Sequence, residues 1–458
     1  MSAVTAFSIY NWDIIKRKKS CPDGYNLRMA HHMKASETYS KHILDNGLTV
    51  LLKEIHSAPL ISHWLWYRVG SRLEQPGLTG TSHWVEHMQF KGTVRYPDGV
   101  PDREISRAGG LWNAFTYLDW TAFYETLPAD RISLAIDIEA DRMSNSLFDP
   151  DEVESERTVI LSEREGSEND PTFRLRDAII KTAFPNHPYR HEVIGETEDL
   201  QTITRDDLYT HYRKHYAPNN AVLVMAGDFE TEDMLQRLES AYRDIPARPV
   251  PEYSIEPEKM IAAPQTVEEH GPADVTILQM VWRAPAGRDP DIFPLAVFDS
   301  VLSGPSSLNM FGKGHISNRT SRLYRSLVQS GKAAGIGGGY VTTIDPYLYN
   351  ISAYMPPGKT PKEAIEAIRA EIADIAGKGI TDDELNKARK QAKAMFAYSC
   401  ENITNQAYWL GYSSMFADPG WYTNYLRDLE KVTAEDVSRI AQQYFSPDHC
   451  VTGIYSSN

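Results

Sequence analysis

Apolar and polar positions along the chain fall into two kinds of pattern. In "HILDNGLTVLLKE" (42–54) an Asn-Gly pair divides two apolar runs, which predicts a hairpin-like turn followed by a strand. "DPYLYNISAYM" (345–355) alternates with the period of two expected of a half-buried strand. "TPKEAIEAIRAEIADIAGKG" (360–379) instead places Ile365, Ile368, Ile372 and Ile375 on one helical stripe. Thr360 is its expected cap, Pro361 its first turn, Glu363 the closing residue of a capping box and Gly377 its end.

The patterns recur. "VTAEDVSRIAQQYFSPDHCVTGIYSS" (432–457) echoes "ITRDDLYTHYRKHYAPNNAVLVMAGD" (203–228), each a Thr-capped helix, a Pro turn and an apolar strand. Thr204 and Thr433, Asp207 and Asp436, and Pro218 and Pro447 match at an offset of 229. "FDPDEVESERTVILSERE" (148–165) echoes "ITDDELNKARKQAKAMFA" (380–397) at 232, pairing Asp151 with Asp383, Glu152 with Glu384 and Arg157 with Arg389. Amphipathic helices can resemble one another by chance, but two echoes at nearly one offset argue for duplication. The expected organisation is an N-terminal extension (1–40), a first domain (41–244), a Pro-rich linker (245–265) and a second, homologous domain (266–458). Paired strands with long helices predict an α+β class for both domains. The Gly-rich stretches "LSGPSSLNMFGKG" (302–314) and "GIGGGY" (335–340) read as mobile loops, since no GKS/T follows a strand to make a phosphate loop.

Composition removes several classes of function. The 458 residues include 41% hydrophobic ones, enough for real cores, and carry a formal charge of −15. "KRKK" (16–19) is too short a basic run for phosphate-backbone binding, so nucleic acid is not an expected partner. Cys21, Cys400 and Cys450 are too sparse for a disulfide framework. No run of 18 apolar residues exists to span a membrane, and no signal-peptide pattern opens the chain, so the default expectation is a cytoplasmic protein with no membrane partner. His31 and His32, in the extension, read as incidental.

The chemistry concentrates in "TSHWVEHMQFKGT" (81–93). On a helix, His83 and His87 share a face and Glu86 lies beside His83. Two neutral imidazoles at that spacing can hold one Zn²⁺, and an adjacent carboxylate can take a proton from metal-acidified water. The order inverts HExxH and matches the inverted zinc-peptidase signature. Two histidines four apart also arise by chance, so a third ligand decides. Glu156 and Glu163 are seven apart, two turns along one helix, with Val159 and Ile160 between them as part of a buried stripe. A solvated acidic helix is the plainer reading of that segment, given Glu152, Glu154 and Glu165. The duplication weighs against it. At the matched positions the second half has Ala388 and Met395, and "DPDIFPLAVFDSVLSG" (289–304), the expected counterpart of the HxxEH helix, has no His.

With these residues in hand, the sequence resembles the pitrilysin/insulinase family of inverted-motif zinc peptidases, over roughly 42–458. The resemblance rests on "LTGTSHWVEHMQFKGT", "GGLWNAFTYLDWTAFY" (109–124), "ERTVILSERE" (156–165), "HPYRHEVIGETEDLQTITRDDLYTHYRKHYAPNNAVLVMAGD" (187–228) and "SRLYRSLV" (321–328). It implies two similar domains, each an antiparallel sheet packed with helices, and one Zn²⁺ per chain. It implies His83, His87 and Glu163 as zinc ligands, Glu86 as general base and Glu156 as the carboxylate supporting a ligand histidine. It implies that Asn113, Ala114, Phe115 and Thr116 form an edge strand to which substrate peptide adds as a further strand. In active single-chain members the second half supplies an Arg and a Tyr that stabilise the oxyanion. The matching positions here are Val328 and Gly335, with Arg325 and Tyr340 nearby at the wrong spacing. The resemblance therefore implies a zinc endopeptidase acting on peptides or unfolded segments. A related subunit supplying the Arg/Tyr pair is the expected partner, with a homodimer as the other arrangement. The rival is a scaffold subunit that kept the fold and lost the chemistry; a metal hydrolase on another bond is the third. Relatives occur in cytoplasm, periplasm and organelles, so the resemblance does not narrow the compartment.

Overall fold

The computed structural model describes residues 39–305 and 317–457. The expectations for the N-terminal extension, including His31 and His32, and for most of the first Gly-rich stretch lie outside the described residues. The first half carries β1 (Ser40–Ile43), β2 (Thr49–Glu54), β3 (Leu60–Tyr67), α1 (Thr81–Met88), α2 (Val100–Arg107), β4 (Leu111–Thr116) and β5 (Thr121–Pro128). It continues through α3 (Ile132–Asn145), α4 (Pro150–Glu168), α5 (Pro171–Ala183), α6 (Thr197–Thr202), α7 (Arg205–His215), β6 (Ala221–Gly227) and α8 (Thr231–Tyr242). Residues 246–264 form neither helix nor strand. The second half comprises β7 (Gln265–His270), β8 (Thr276–Arg283), α9 (Ile292–Leu302), β9 (Gly335–Tyr340), β10 (Leu348–Met355), α10 (Pro361–Lys378) and α11 (Asp382–Cys400). It closes with α12 (Ile403–Phe416), α13 (Gly420–Thr423), α14 (Tyr425–Glu430), α15 (Ala434–Tyr444) and β11 (Cys450–Ser456).

Each half is a sheet with helices. The first runs β1-β2-β6-β3-β5-β4 and the second β7-β11-β8-β10-β9. Neither is wholly antiparallel, which corrects the expectation: β2 pairs parallel to β6, and β7 parallel to β11. The pairings correspond, Thr49 opposite Val222 and Gln265 opposite Val451, with β6 and β11 matching at an offset of 229 and β2 and β7 at 216. The remaining ladders are antiparallel. "GIGGGY" is not a loop but edge strand β9, paired with β10 from Gly335 opposite Tyr354 to Tyr340 opposite Tyr349. Glycines carry no side-chain alternation to read, yet their amides and carbonyls complete a ladder as well as any residue's.

Three threonine-led helix starts follow capping chemistry and a fourth does not. Thr204 with Asp207, Thr381 with Glu384, and Thr433 with Asp436 each form a reciprocal capping box. Thr360 makes no side-chain cap, so the box expected with Glu363 does not form. That helix also runs through Gly377 and stops at Gly379, whose φ of 79° is the left-handed conformation that suits glycine.

The two halves trade one helix each. α5, from the first half, packs on β7, β8 and β11; α12, at the matching place in the second half, packs on β3 and β6. Strands β3 and β6 are therefore covered on both faces and buried almost end to end. This is why neither alternates apolar with polar residues: β6 is a continuous apolar run, and β3 is one but for Ser62 and His63. One core joins Trp64, Trp66 and Trp120 of the first half to Leu278, Tyr408 and Tyr412 of the second. The Trp66 ring lies 4.8 Å from Trp120 and 5.4 Å from Tyr408. Burying each such ring contributes roughly 3 kcal/mol of transfer free energy.

Candidate metal centre

α1 begins at Gly80 in the left-handed conformation, φ 90°, and buries Trp84, Val85 and Met88 against the first-half core. Its opposite face carries His83 and His87, whose ring centroids are 4.5 Å apart. α4 begins with Asp149, whose side chain accepts from the Asp151 and Glu152 amides, and runs beside α1. It brings Glu163 to the histidines: ligand atoms of His83, His87 and Glu163 all lie within 4.8 Å of one another. His87 Nε2 is 3.8 Å from Glu163 Oε2. Among the described residues this is the one group of three or more His, Cys, Asp or Glu side chains so arranged. Between the two glutamates Ile160 is buried but Val159 is 43% exposed, so Val159 does not belong to the buried stripe expected of it.

The surroundings suit a metal. His83 is buried, and its Nδ1 has no hydrogen-bond partner. Burial, and then the neighbouring His87, pushes its pKa well below the usual imidazole value, favouring the neutral form that metals bind. The Glu156 carboxylate takes the His87 Nδ1–H at 2.7 Å through Oε1 and the Lys91 ammonium at 2.8 Å through Oε2. Burial alone would raise the Glu156 pKa; His87 and Lys91 more than offset it and hold the group at about 2. With Nδ1 as donor, His87 presents Nε2 as its free lone pair. Two imidazole nitrogens and one carboxylate oxygen are the donor set of a zinc site with an open position.

Glu86 is buried beside the ligands and receives the Thr116 hydroxyl at 2.6 Å. Burial raises its pKa, against the lowering effects of His87 and Thr116, which leaves a carboxylate readier than usual to take a proton. Thr116 ends β4, the edge strand containing Asn113, Ala114 and Phe115. The Tyr117 amide bonds the Trp120 carbonyl, so by alternation Phe115 and Asn113 direct their amides toward β5 while Ala114 and Thr116 direct theirs outward. Asn113 Oδ1 accepts the outward Ala114 amide at 2.9 Å.

In the second half α9 has no histidine, and Ala388 and Met395 are both buried on α11 where Glu156 and Glu163 stand on α4. Val328 sits in the helical turn Tyr324–Gln329 and Gly335 opens β9. Arg325 is exposed, and the Tyr340 ring stacks on Tyr349. Neither Lys91 nor the bond from Thr116 to Glu86 was expected from the sequence. Lys91 lies four residues past His87 but beyond the end of α1 at Met88.

Family models place these observations. Residues 49–197 match the insulinase (peptidase family M16) model, and residues 202–392 match the peptidase M16 inactive domain. The chain belongs to the M16 peptidase family. An uncharacterized zinc protease of Streptomyces coelicolor is 25% identical over 415 residues, 88% of this chain and 87% of that one. A probable mitochondrial-processing peptidase subunit beta of Arabidopsis thaliana is 26% identical over 440 residues, 93% of this chain and 79% of that one. The crystal structure of a protease from Helicobacter pylori shares this M16 fold with a TM-score of 0.85 at 22% identity, covering 92% of this chain and 99% of its own. The half matching the inactive-domain model is the half without the ligand set. No described helix is long and apolar enough to cross a membrane.

Proposed function

We propose that this M16 chain is a zinc endopeptidase that cleaves peptides or unfolded segments, and that it is the zinc-bearing member of a pair. The observation that carries the reading is the convergence of His83, His87 and Glu163 within 4.8 Å, with Glu86 alongside. Zinc held by these three residues would acidify water and polarise the scissile carbonyl. Glu86, its proton affinity raised by burial, takes the proton and passes it to the leaving amine, and Thr116 fixes its orientation. Glu156 and Lys91 hold His87 in the tautomer that leaves Nε2 for the metal. Substrate adds to β4 as an antiparallel strand, and the Asn113 side chain turns away from the Ala114 amide to admit a substrate carbonyl.

The oxyanion side supports the pairing. Val328 and Gly335 have no side-chain donor, and Tyr340 is committed to packing on Tyr349. A related subunit brings the missing donors; a homodimer is the other arrangement, and it would leave the oxyanion side without them. Metal analysis of the purified chain should give about one zinc, lost in Glu163→Gln. Glu86→Gln should keep zinc and abolish cleavage of an unfolded test peptide. A zinc-free wild type would instead favour a non-catalytic scaffold, and full activity of the lone monomer would remove the partner.

A further inference from the structure

The first turn of α1 leaves amides that its own residues do not cap. Gly80 has no side chain to offer, and none fits: a Cβ there would lie 2.5 Å from the Ile194 carbonyl oxygen. Ser, Thr, Asp or Asn, the usual caps, are thereby excluded from the position that precedes the ligand helix. Glu74 supplies what is missing. Its Oε2 accepts the Gly80 amide at 2.8 Å and its Oε1 the Ser82 amide at 2.7 Å. The side chain is completely buried, its negative charge set against the positive end of the helix. His83 follows Ser82 directly, so the placement of this turn sets where the first imidazole emerges.

The same corner is tied to the other ligand helix. Asp199 accepts both the amide and the hydroxyl of Thr79, at 3.0 and 2.6 Å. Arg164, next to Glu163 on α4, donates to the Gly195 carbonyl at 2.9 Å. The segment around 194–203 therefore braces the start of α1 on one side and α4 on the other.

The second half provides an internal control. Arg157 donates to the carbonyls of Leu200 and Ile203, and Arg389 makes the matching bonds to Glu430 and Val432. That bracket persists without a metal site and belongs to the fold. Arg164, however, is replaced by Phe396, and the residue matching Asp199 is Asp428, which pairs at the surface with Lys431. On α9 the Asp289 side chain accepts only the Asp291 amide, at 2.9 Å, while the Ile292, Phe293 and Leu295 amides go to the backbone carbonyls of Asp289, Pro290 and Asp291, so no carboxylate spans two amides there as Glu74 does on α1. The braces confined to the ligand-bearing half are the ones that touch the ligand turn.

We infer that Glu74 is a positioning residue of the metal site: by holding the Gly80 and Ser82 amides, it fixes the first turn of α1 so that His83 meets His87 and Glu163. The inference rests on the zinc reading above. It is tested with Glu74→Gln, which keeps one acceptor and sets an NH₂ against the other amide, and Glu74→Asp, which keeps the charge but is too short to span both. Thr381→Ala, which breaks the α11 capping box far from the site, is the control for loss of stability. In the full-length protein, both Glu74 variants should bind zinc at least tenfold more weakly in chelator competition. They should also alter the visible spectrum of the cobalt-substituted protein. In metal-free protein, the Ser82 and His83 amides should lose hydrogen-exchange protection. Thr381→Ala should lower the melting temperature and change none of these. Zinc affinity and cobalt spectrum within twofold of wild type in both Glu74 variants would overturn the inference. A wild type that binds no zinc would instead defeat the zinc reading, and unchanged amide protection would then overturn the role of Glu74 on its own.

Discussion

Glu156 joins His87 Nδ1 to the Lys91 ammonium through its two oxygens, and this one carboxylate decides which face of the imidazole is available. Glu156→Gln keeps the shape but gives up the charge, and its NH₂ opposes either the His87 proton or the Lys91 ammonium. Zinc affinity should fall about 10- to 100-fold, with the fold intact by circular dichroism; an unchanged affinity in chelator competition would refute the role. At this scale the grouping of His83, His87 and Glu163 was legible because it follows spacing. Three and four residues place His83, Glu86 and His87 together, and seven places Glu156 with Glu163. The blanks at Ala388 and Met395 made those spacings informative. Glu74 was not legible: it acts on backbone amides, which have no residue identity to betray the contact. The Thr116 bond to Glu86 likewise joins residues that only the β4–α1 packing brings together.

At the scale of elements, sequence signals worked where a side chain does the work and failed where the backbone does. Thr204, Thr381 and Thr433 cap their helices, each with an acidic partner three residues on. Thr360 has the same apparent signature and makes no cap, and β9 has almost no side chains to read. The Thr381 corner yields a pH prediction. Glu384 closes that box and takes two Arg322 nitrogens at 2.8 Å each. Burial would raise its pKa, but the Arg322 bonds and the Thr381 amide prevail and hold it at about 2, below the usual 4.5. A depressed folded-state value means stability fully present above about pH 4.5 and lost as pH falls through about 2. Solvent screening of this largely but not fully buried pair limits the contribution to about 1–2 kcal/mol. Denaturant titrations should therefore show Glu384→Gln less stable than wild type at pH 6 and nearly equal to it at pH 2. A gap independent of pH would show that the ion pair is not its source.

At the scale of the molecule, the exchange of α5 and α12 makes each sheet depend on the other half of the chain. The fit is reciprocal in form. Gly411 on α12 admits the Trp66 ring, where an added Cβ would stand 2.0 Å from Trp66 Nε1. On the other side a strand glycine, Gly453 of β11, admits Ile179 of α5, with a Cβ-to-Cδ1 approach of 2.4 Å. The hollow is in the helix in one case and in the strand in the other, which no periodicity in either segment foretells. Gly411→Ala separates local from global effects. Helix propensity alone would stabilise α12 by about 1 kcal/mol, whereas forcing Trp66 or the helix aside costs about 1–3 kcal/mol, or more where backbone must shift. The clash is with a ring fixed between Trp120 and Tyr408, so the cost should win and net stability should fall by about 2 kcal/mol. Because lifting α12 bares β3 and β6 of the opposite half, calorimetry should show a single endotherm moved to lower temperature. Two endotherms, with only the second-half transition displaced, would mean that the halves fold independently and that the exchanged helices do not couple them.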